Sequence, residues 1–154
     1  MYALHPGAKY FEDIVVGERL TTPGRTVTEA DIVNFAGLSG DFHPVHTNEE
    51  FAKATPFGGR IAHGLLTLSI ASGLIVSRLG MFEGTAQAFL GMNNQKFTGA
   101  VKSGDTIHVV IDIVDKRESK KGDKGVVSLK VFTKNQREEV VTEGDWTMLF
   151  LKRN

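Results

Sequence analysis

The chain has 154 residues, 41% hydrophobic and 23% charged, a balance that fits one soluble globular domain over residues 1–154 and excludes a disordered or fibrous protein. Lys plus Arg equals Asp plus Glu at 18 each, so no global positive charge is available for nucleic acid, although a local patch could still meet a phosphorylated ligand. Cysteine is absent, which removes disulfides, thiolate zinc sites and thiol nucleophiles together.

Met1 to Phe11 has no apolar run of signal-peptide length. The most apolar stretch, Ile61 to Gly80, is broken by His63 and Arg78 and reads as a core helix rather than a membrane span, so a cytoplasmic protein is expected. Tyr10 to Leu20 is a lead-in turn or short strand. Arg19 to Val27, rich in Thr and Val but interrupted by Pro23-Gly24, predicts an edge or bulged strand. Thr28 is placed as a helix N-cap, with Glu29 and Asp31 near the positive end of the dipole and a stop near Gly37 to Gly40. Asn48 caps a second, short helix ended by Thr55-Pro56-Phe57-Gly58-Gly59. Ile61 to Leu79 then predicts a long helix with apolar residues on all sides, which belongs inside something.

The second half changes character. Thr85 to Thr98 reads as a strand with an irregular middle, and Thr106 to Lys116 alternates Ile107, Val109, Ile111 and Ile113 with other residues. Lys120 to Gly125 is a hairpin turn, Val126 to Thr133 a strand, Asn135-Gln136-Arg137 a second tight connection, and Val140 to Leu151 the last strand, with Trp146, Met148 and Phe150 facing inward. A buried helix followed by antiparallel strands predicts an α+β fold, one sheet curled around one helix.

Chemistry gathers in Asp41-Phe42-His43-Pro44-Val45-His46 and in Ile61-Ala62-His63-Gly64. On a helix Asp41 and His46, five residues apart, would point about 140° away from each other, so they converge only in a non-helical loop. Pro44 and Gly40 are taken to supply one. An imidazole beside a carboxylate suits acid/base work near neutral pH, and a glycine opening an apolar helix leaves N–H groups to stabilise an anion.

The segments 38–48, LSGDFHPVHTN, and 56–66, PFGGRIAHGLL, resemble the MaoC-like dehydratases, a family of (R)-specific enoyl-CoA hydratases with the hot-dog fold. The resemblance implies a sheet wrapped around the long helix, a homodimer of paired sheets, and an acyl thioester of coenzyme A as substrate, with no other cofactor and no metal. It assigns Asp41 and His46 as the catalytic dyad and Gly64 as the residue whose N–H holds the thioester oxygen. Ser72 falls where the family often has a serine in the site. His43 stands where the family's commonest form has Asn. His63 orients or caps the helix start or touches substrate, and Arg60, with Lys96 and Lys102, is a candidate for the coenzyme A phosphates.

Two other readings use the same residues. Asp41, His43, His46 and His63 could ligate zinc, although their spacing matches no known helical or knuckle arrangement. Fold alone would also permit a thioesterase, but hot-dog thioesterases usually carry a carboxylate on the long helix or an adjacent strand, and 61–80 contains no acidic residue. A non-catalytic acyl-CoA-binding domain is a third reading, for which an intact acid/base pair gives little reason.

Overall fold

Alternation along β4 (Thr106–Glu118) sets the sheet. Ile107, Val109, Ile111 and Ile113 are each no more than 1% exposed, so one side of the strand faces the core and the pleat turns the intervening residues away from it. The structure is a computed structural model that describes residues 6–153, apart from the side chains of Ser77 and Arg78; residues 1–5 of the N-terminal segment lie outside the described residues. Strand β4 pairs antiparallel with β5 (Lys124–Lys134), β5 with β6 (Val140–Leu151), and β6 with β3 (Ala86–Phe97). The order is β1-β4-β5-β6-β3, with β1 (Arg19–Thr21) on one edge and β3 on the other.

The expected strand over 19–27 divides in two, because Pro23-Gly24 interrupts it. β1 and β2 (Arg25–Thr26) both pair with β4, and between them Thr22 Oγ1 accepts the Val109 N–H at 3.0 Å. Upstream, 10–20 resolves into a 3₁₀ turn at Phe11–Asp13 followed by β1. The irregular middle of β3 is a pair of register shifts, between Phe89 and Gly91 and between Asn93 and Lys96. Trp146, Met148 and Phe150 face inward as expected, each no more than 5% exposed.

Helix α1 (Glu29–Ser39) starts at a capping box: Asp31 N–H donates to Thr28 Oγ1 at 3.3 Å and Thr28 N–H to Asp31 Oδ2 at 2.8 Å. It ends at Gly40, whose φ of 76° is the left-handed conformation that glycine adopts without steric cost. One turn of helix, α2 (Pro44–Thr47), and a short α3 (Glu49–Lys53) follow, with Asn48 Oδ1 capping α3 through Phe51 N–H at 3.0 Å.

The long helix is shorter than its apolar run. Ile61 and Ala62 are tied outward, their N–H groups donating to Val45 O at 3.2 Å and Val101 O at 2.7 Å, so α4 runs Gly64–Gly73 and continues into a π-helical turn at Leu74–Arg78. Nor is it enclosed on all sides. Leu66, Leu68, Ala71, Leu74 and Ile75 are buried, but Leu65 (62% exposed), Ser69, Ser72 and Val76 form an exposed stripe, because one curled sheet covers only part of a helix's circumference. A second apolar cluster, Val27, Ile32, Ala62, Leu66, Val101, Ile107 and Val141, ties α1 to the start of α4. At about 1.5–3 kcal/mol for each fully buried Val, Leu or Ile, this cluster is a firm floor beneath the residues between them.

Candidate active site

Two local devices bring Asp41 and His46 together. Asp41 Oδ1 accepts the His43 N–H at 3.1 Å, a side-chain turn that bends the chain directly after α1. Pro44 then begins α2. This corrects the expectation of a wholly non-helical loop: proline's missing N–H and fixed φ suit the first position of a helix as well as they resist its interior. His43, just ahead of the proline, stays extended with ψ 135°, and its Nδ1 accepts the Val45 N–H at 3.2 Å. That is the N-cap bond that asparagine favours, so His43 fills the capping role in place of Asn.

His46 Nδ1 lies 2.8 Å from the Ile61 carbonyl oxygen, which can only accept, so Nδ1 carries the proton and Nε2 presents its lone pair. Nε2 sits 4.0 Å from Asp41 Oδ2, too far for a direct hydrogen bond and a separation that one water can bridge. The imidazole is 12% exposed and the carboxylate 53%. Burial holds the His46 pKa below the ordinary histidine value; the neighbouring His63 and His43 push it the same way, while the Ile61 carbonyl and Asp41 pull against them. The net lowering leaves the ring a neutral base at neutral pH.

His63 lies against the pair. Its ring stacks on His46 with centroids 3.8 Å apart and planes at 27°, and the Phe35 ring lies tilted against it at 5.0 Å. Nε2–H donates to the Asp41 backbone carbonyl at 3.0 Å. It makes no side-chain cap to α4, although its carbonyl accepts the Thr67 N–H at 3.1 Å, the bond that opens the helix.

Gly64, the first residue of α4, lines an apolar cleft of about 500 Å³ with Phe57, Ile61, Leu65, Phe97 and Val101. A Cβ at residue 64 would lie 2.7 Å from Cδ1 and Cε1 of Phe97, so only glycine admits that ring against the helix start. Ile61 joins the two halves of the site, lining the cleft and holding His46 through its carbonyl.

The other predicted residues are placed differently. Ser72 lies on the exposed stripe of α4, in a separate apolar groove of about 510 Å³ with Leu68, Phe89, Met92 and Trp146, to which Leu65 also contributes. Arg60 is held by Glu29 and Glu49, clamping α1 to α3. Lys96 pairs with Glu143 at 3.1 Å, and Lys102 Nζ donates to the Phe57 carbonyl at 2.6 Å. Ile61, Phe35 and Phe97 were not legible as site residues. Ile61 acts through its backbone, and the two phenylalanines carried no signal beyond apolar periodicity.

Asp41, His46 and His63 offer donor atoms all within 4.8 Å of one another. A tetrahedral zinc with bonds of about 2.0–2.1 Å needs donors about 3.4 Å apart. The carbonyl bonds of His46 Nδ1 and His63 Nε2 leave Nε2 of the first and Nδ1 of the second as the free lone pairs, and with Asp41 Oδ2 4.0 Å from His46 Nε2 these donors stand wider apart than a tetrahedral zinc needs.

An antiparallel sheet curled over one helix, with an Asp/His pair at the helix start, makes this an α+β protein of the hot-dog fold. The fold is shared with a Mycobacterium tuberculosis protein described as a double hot-dog (TM-score 0.82, 19% identity, 96% of this chain and 45% of that one). The chain belongs to the MaoC-like domain family, whose pattern matches residues 12–135. Among its relatives, Protein MaoC of Klebsiella aerogenes is 48% identical over 106 residues, 69% of this chain but 31% of that protein, so this alignment spans under a third of MaoC's length. An (R)-specific enoyl-CoA hydratase of Rhodospirillum rubrum is 38% identical over 104 residues, 68% of this chain and 69% of that one. A solved structure from Archaeoglobus fulgidus, described as a monoamine oxidase regulatory protein, superposes with a TM-score of 0.88 at 40% identity, covering 99% of this chain and 100% of the other.

Proposed function

We propose that this protein is an (R)-specific enoyl-CoA hydratase, adding water reversibly across the C2=C3 bond of a short 2-enoyl thioester of coenzyme A. The observation that carries the proposal is the 4.0 Å gap between Asp41 Oδ2 and His46 Nε2, with the imidazole's free lone pair facing it. A water held between them gives its proton to His46 as its oxygen bonds to C3. The C2=C3 electrons move onto the thioester, and the charge on its oxygen is met by the Gly64 N–H and the positive end of α4. A proton from the dyad then reaches C2, restoring the carbonyl and returning the site to its starting state. Coenzyme A enters as part of the substrate and no further cofactor is needed. The moderate identity to the Rhodospirillum rubrum hydratase supports this reading.

The active form is a homodimer. Strand β3 is an edge strand whose Phe89, Leu90, Met92 and Phe97 are 41–52% exposed, an apolar edge suited to pairing with its copy. A thioesterase is disfavoured because α4 carries no acidic residue.

The test is an assay with crotonyl-CoA and branched or dicarboxylic relatives, following loss of the conjugated thioester absorbance alongside release of free thiol. Loss of conjugation without thiol is the expected result. Thiol release without loss of conjugation supports the thioesterase, and binding without turnover the non-catalytic domain.

A further inference from the structure

We infer that His63 is the positioning residue of this site, the side chain that fixes Asp41, His46 and the start of α4 relative to one another. Its kinetic consequence rests on the hydratase reading above, whereas its structural consequence follows from geometry alone.

Three contacts converge on this residue. Its Nε2–H holds the backbone carbonyl of Asp41 at 3.0 Å, its ring face supports His46 at 3.8 Å, and its own peptide leads directly into Gly64 as the N-cap of α4. The three parts of the proposed machinery come from separate stretches of chain, the turn after α1, the helical turn α2 and the head of α4, and His63 touches all of them. Without it, Asp41 keeps its exposed-side bonds to Ser39 and His43, and the His46 ring keeps its bond to Ile61 and its edge contact with His43, but nothing then joins the two to the head of α4 among the described residues.

The chemistry of the ring separates positioning from ordinary packing. His63 is 3% exposed, and its Nδ1 has no hydrogen-bond partner among the described residues. A buried nitrogen without a partner costs stability, so a position that served packing alone would be better filled by an apolar ring. What histidine supplies, and phenylalanine cannot, is a donor at the far end of a flat ring. The groups facing His46 are the Asp41 carboxylate, the His43 ring at 6.3 Å and the His63 ring, so His63 is also the nearest titratable neighbour on the side away from solvent.

Two substitutions separate these contributions. His63→Phe keeps the stacked ring and removes both the donor and the orphaned nitrogen; His63→Gln keeps a donor at similar reach and removes the ring. Each variant is compared with the wild type by thermal melting, by crotonyl-CoA kinetics and by NMR of the His46 ring. The expected result is that both fold, that His63→Phe melts at or above the wild-type temperature, and that kcat falls about 10²-fold in each while KM changes little, the pattern of a misplaced catalytic group. The NMR signals of the His46 ring move in both variants, because the ring stacked on it at 3.8 Å has been replaced. Wild-type kcat in both variants overturns the inference, as do unmoved His46 ring signals. If the wild type hydrates no enoyl thioester, the hydratase reading fails by itself and the His46 ring signals still decide the role of His63.

Discussion

Replacing Asp41 with Asn removes a charge and almost nothing else. The amide oxygen can accept the His43 N–H that Asp41 Oδ1 now accepts at 3.1 Å, so the turn survives, while an NH₂ group replaces the oxygen that faces His46 Nε2 at 4.0 Å. The bridging water then loses its anionic acceptor, and the expected loss in kcat/KM is about 10²–10⁴-fold, equivalent to roughly 2.7–5.5 kcal/mol of transition-state stabilisation. Stability should change by no more than about 0.5 kcal/mol, since the carboxylate is half exposed and its partner is a neutral ring. The pH profile offers an independent check. His46 must be neutral to take a proton, and burial holds its folded pKa below the ordinary value of about 6.5, so wild-type activity persists below that pH and is lost as pH falls through the lowered value. Stability has the same sign: the unfolded chain binds this proton more readily, so His46 contributes stability above about 6.5 that declines as pH drops below it. Asp41 opposes the lowering, so in Asp41→Asn the acid limb moves to still lower pH. The assay is the pH dependence of crotonyl-CoA hydration, with circular dichroism to confirm folding. A folded Asp41→Asn protein within tenfold of wild type, or an acid limb that moves upward, refutes the dyad.

Gly64→Ala drives a methyl into the Phe97 ring at 2.7 Å, so the ring must shift, kcat/KM should fall by about tenfold or more and the melting temperature should not rise; an unchanged kcat/KM counts against Gly64 as the oxygen-binding residue. His43→Asn preserves the capping acceptor for Val45 N–H and should keep activity within a few-fold of wild type, whereas His43→Ala costs about 1 kcal/mol in chemical denaturation. Leu90→Lys places a charge on an apolar, half-exposed position of the edge strand β3 and should convert a homodimer to a monomer in light scattering; a monomeric wild type would remove the dimer from the proposal.

Periodicity and capping chemistry made most of the fold legible. The alternation of Ile107, Val109, Ile111 and Ile113 became the buried side of β4, and Thr28, Asn48 and Gly40 begin or end helices where their side chains or backbone freedom predict. Residue type and local spacing single out Asp41, His46 and Gly64 as candidates, and the fold sets the first two 4.0 Å apart with Gly64 opening α4.

Other features depended on contacts distant in sequence, which no local pattern records. The apolar run from Ile61 could not reveal that Val45 and Val101 draw its first residues out of the helix, or that the sheet leaves Leu65, Ser72 and Val76 uncovered. Arg60 had the charge for a phosphate, but Glu29 and Glu49 claim it, an outcome set by how α1 and α3 pack. The chain's own order named the dyad as a carboxylate and an imidazole. Only tertiary structure decided which nitrogen of His46 is free, because the deciding partner is a backbone carbonyl fifteen residues away, and only it showed that His63 lies beneath them both.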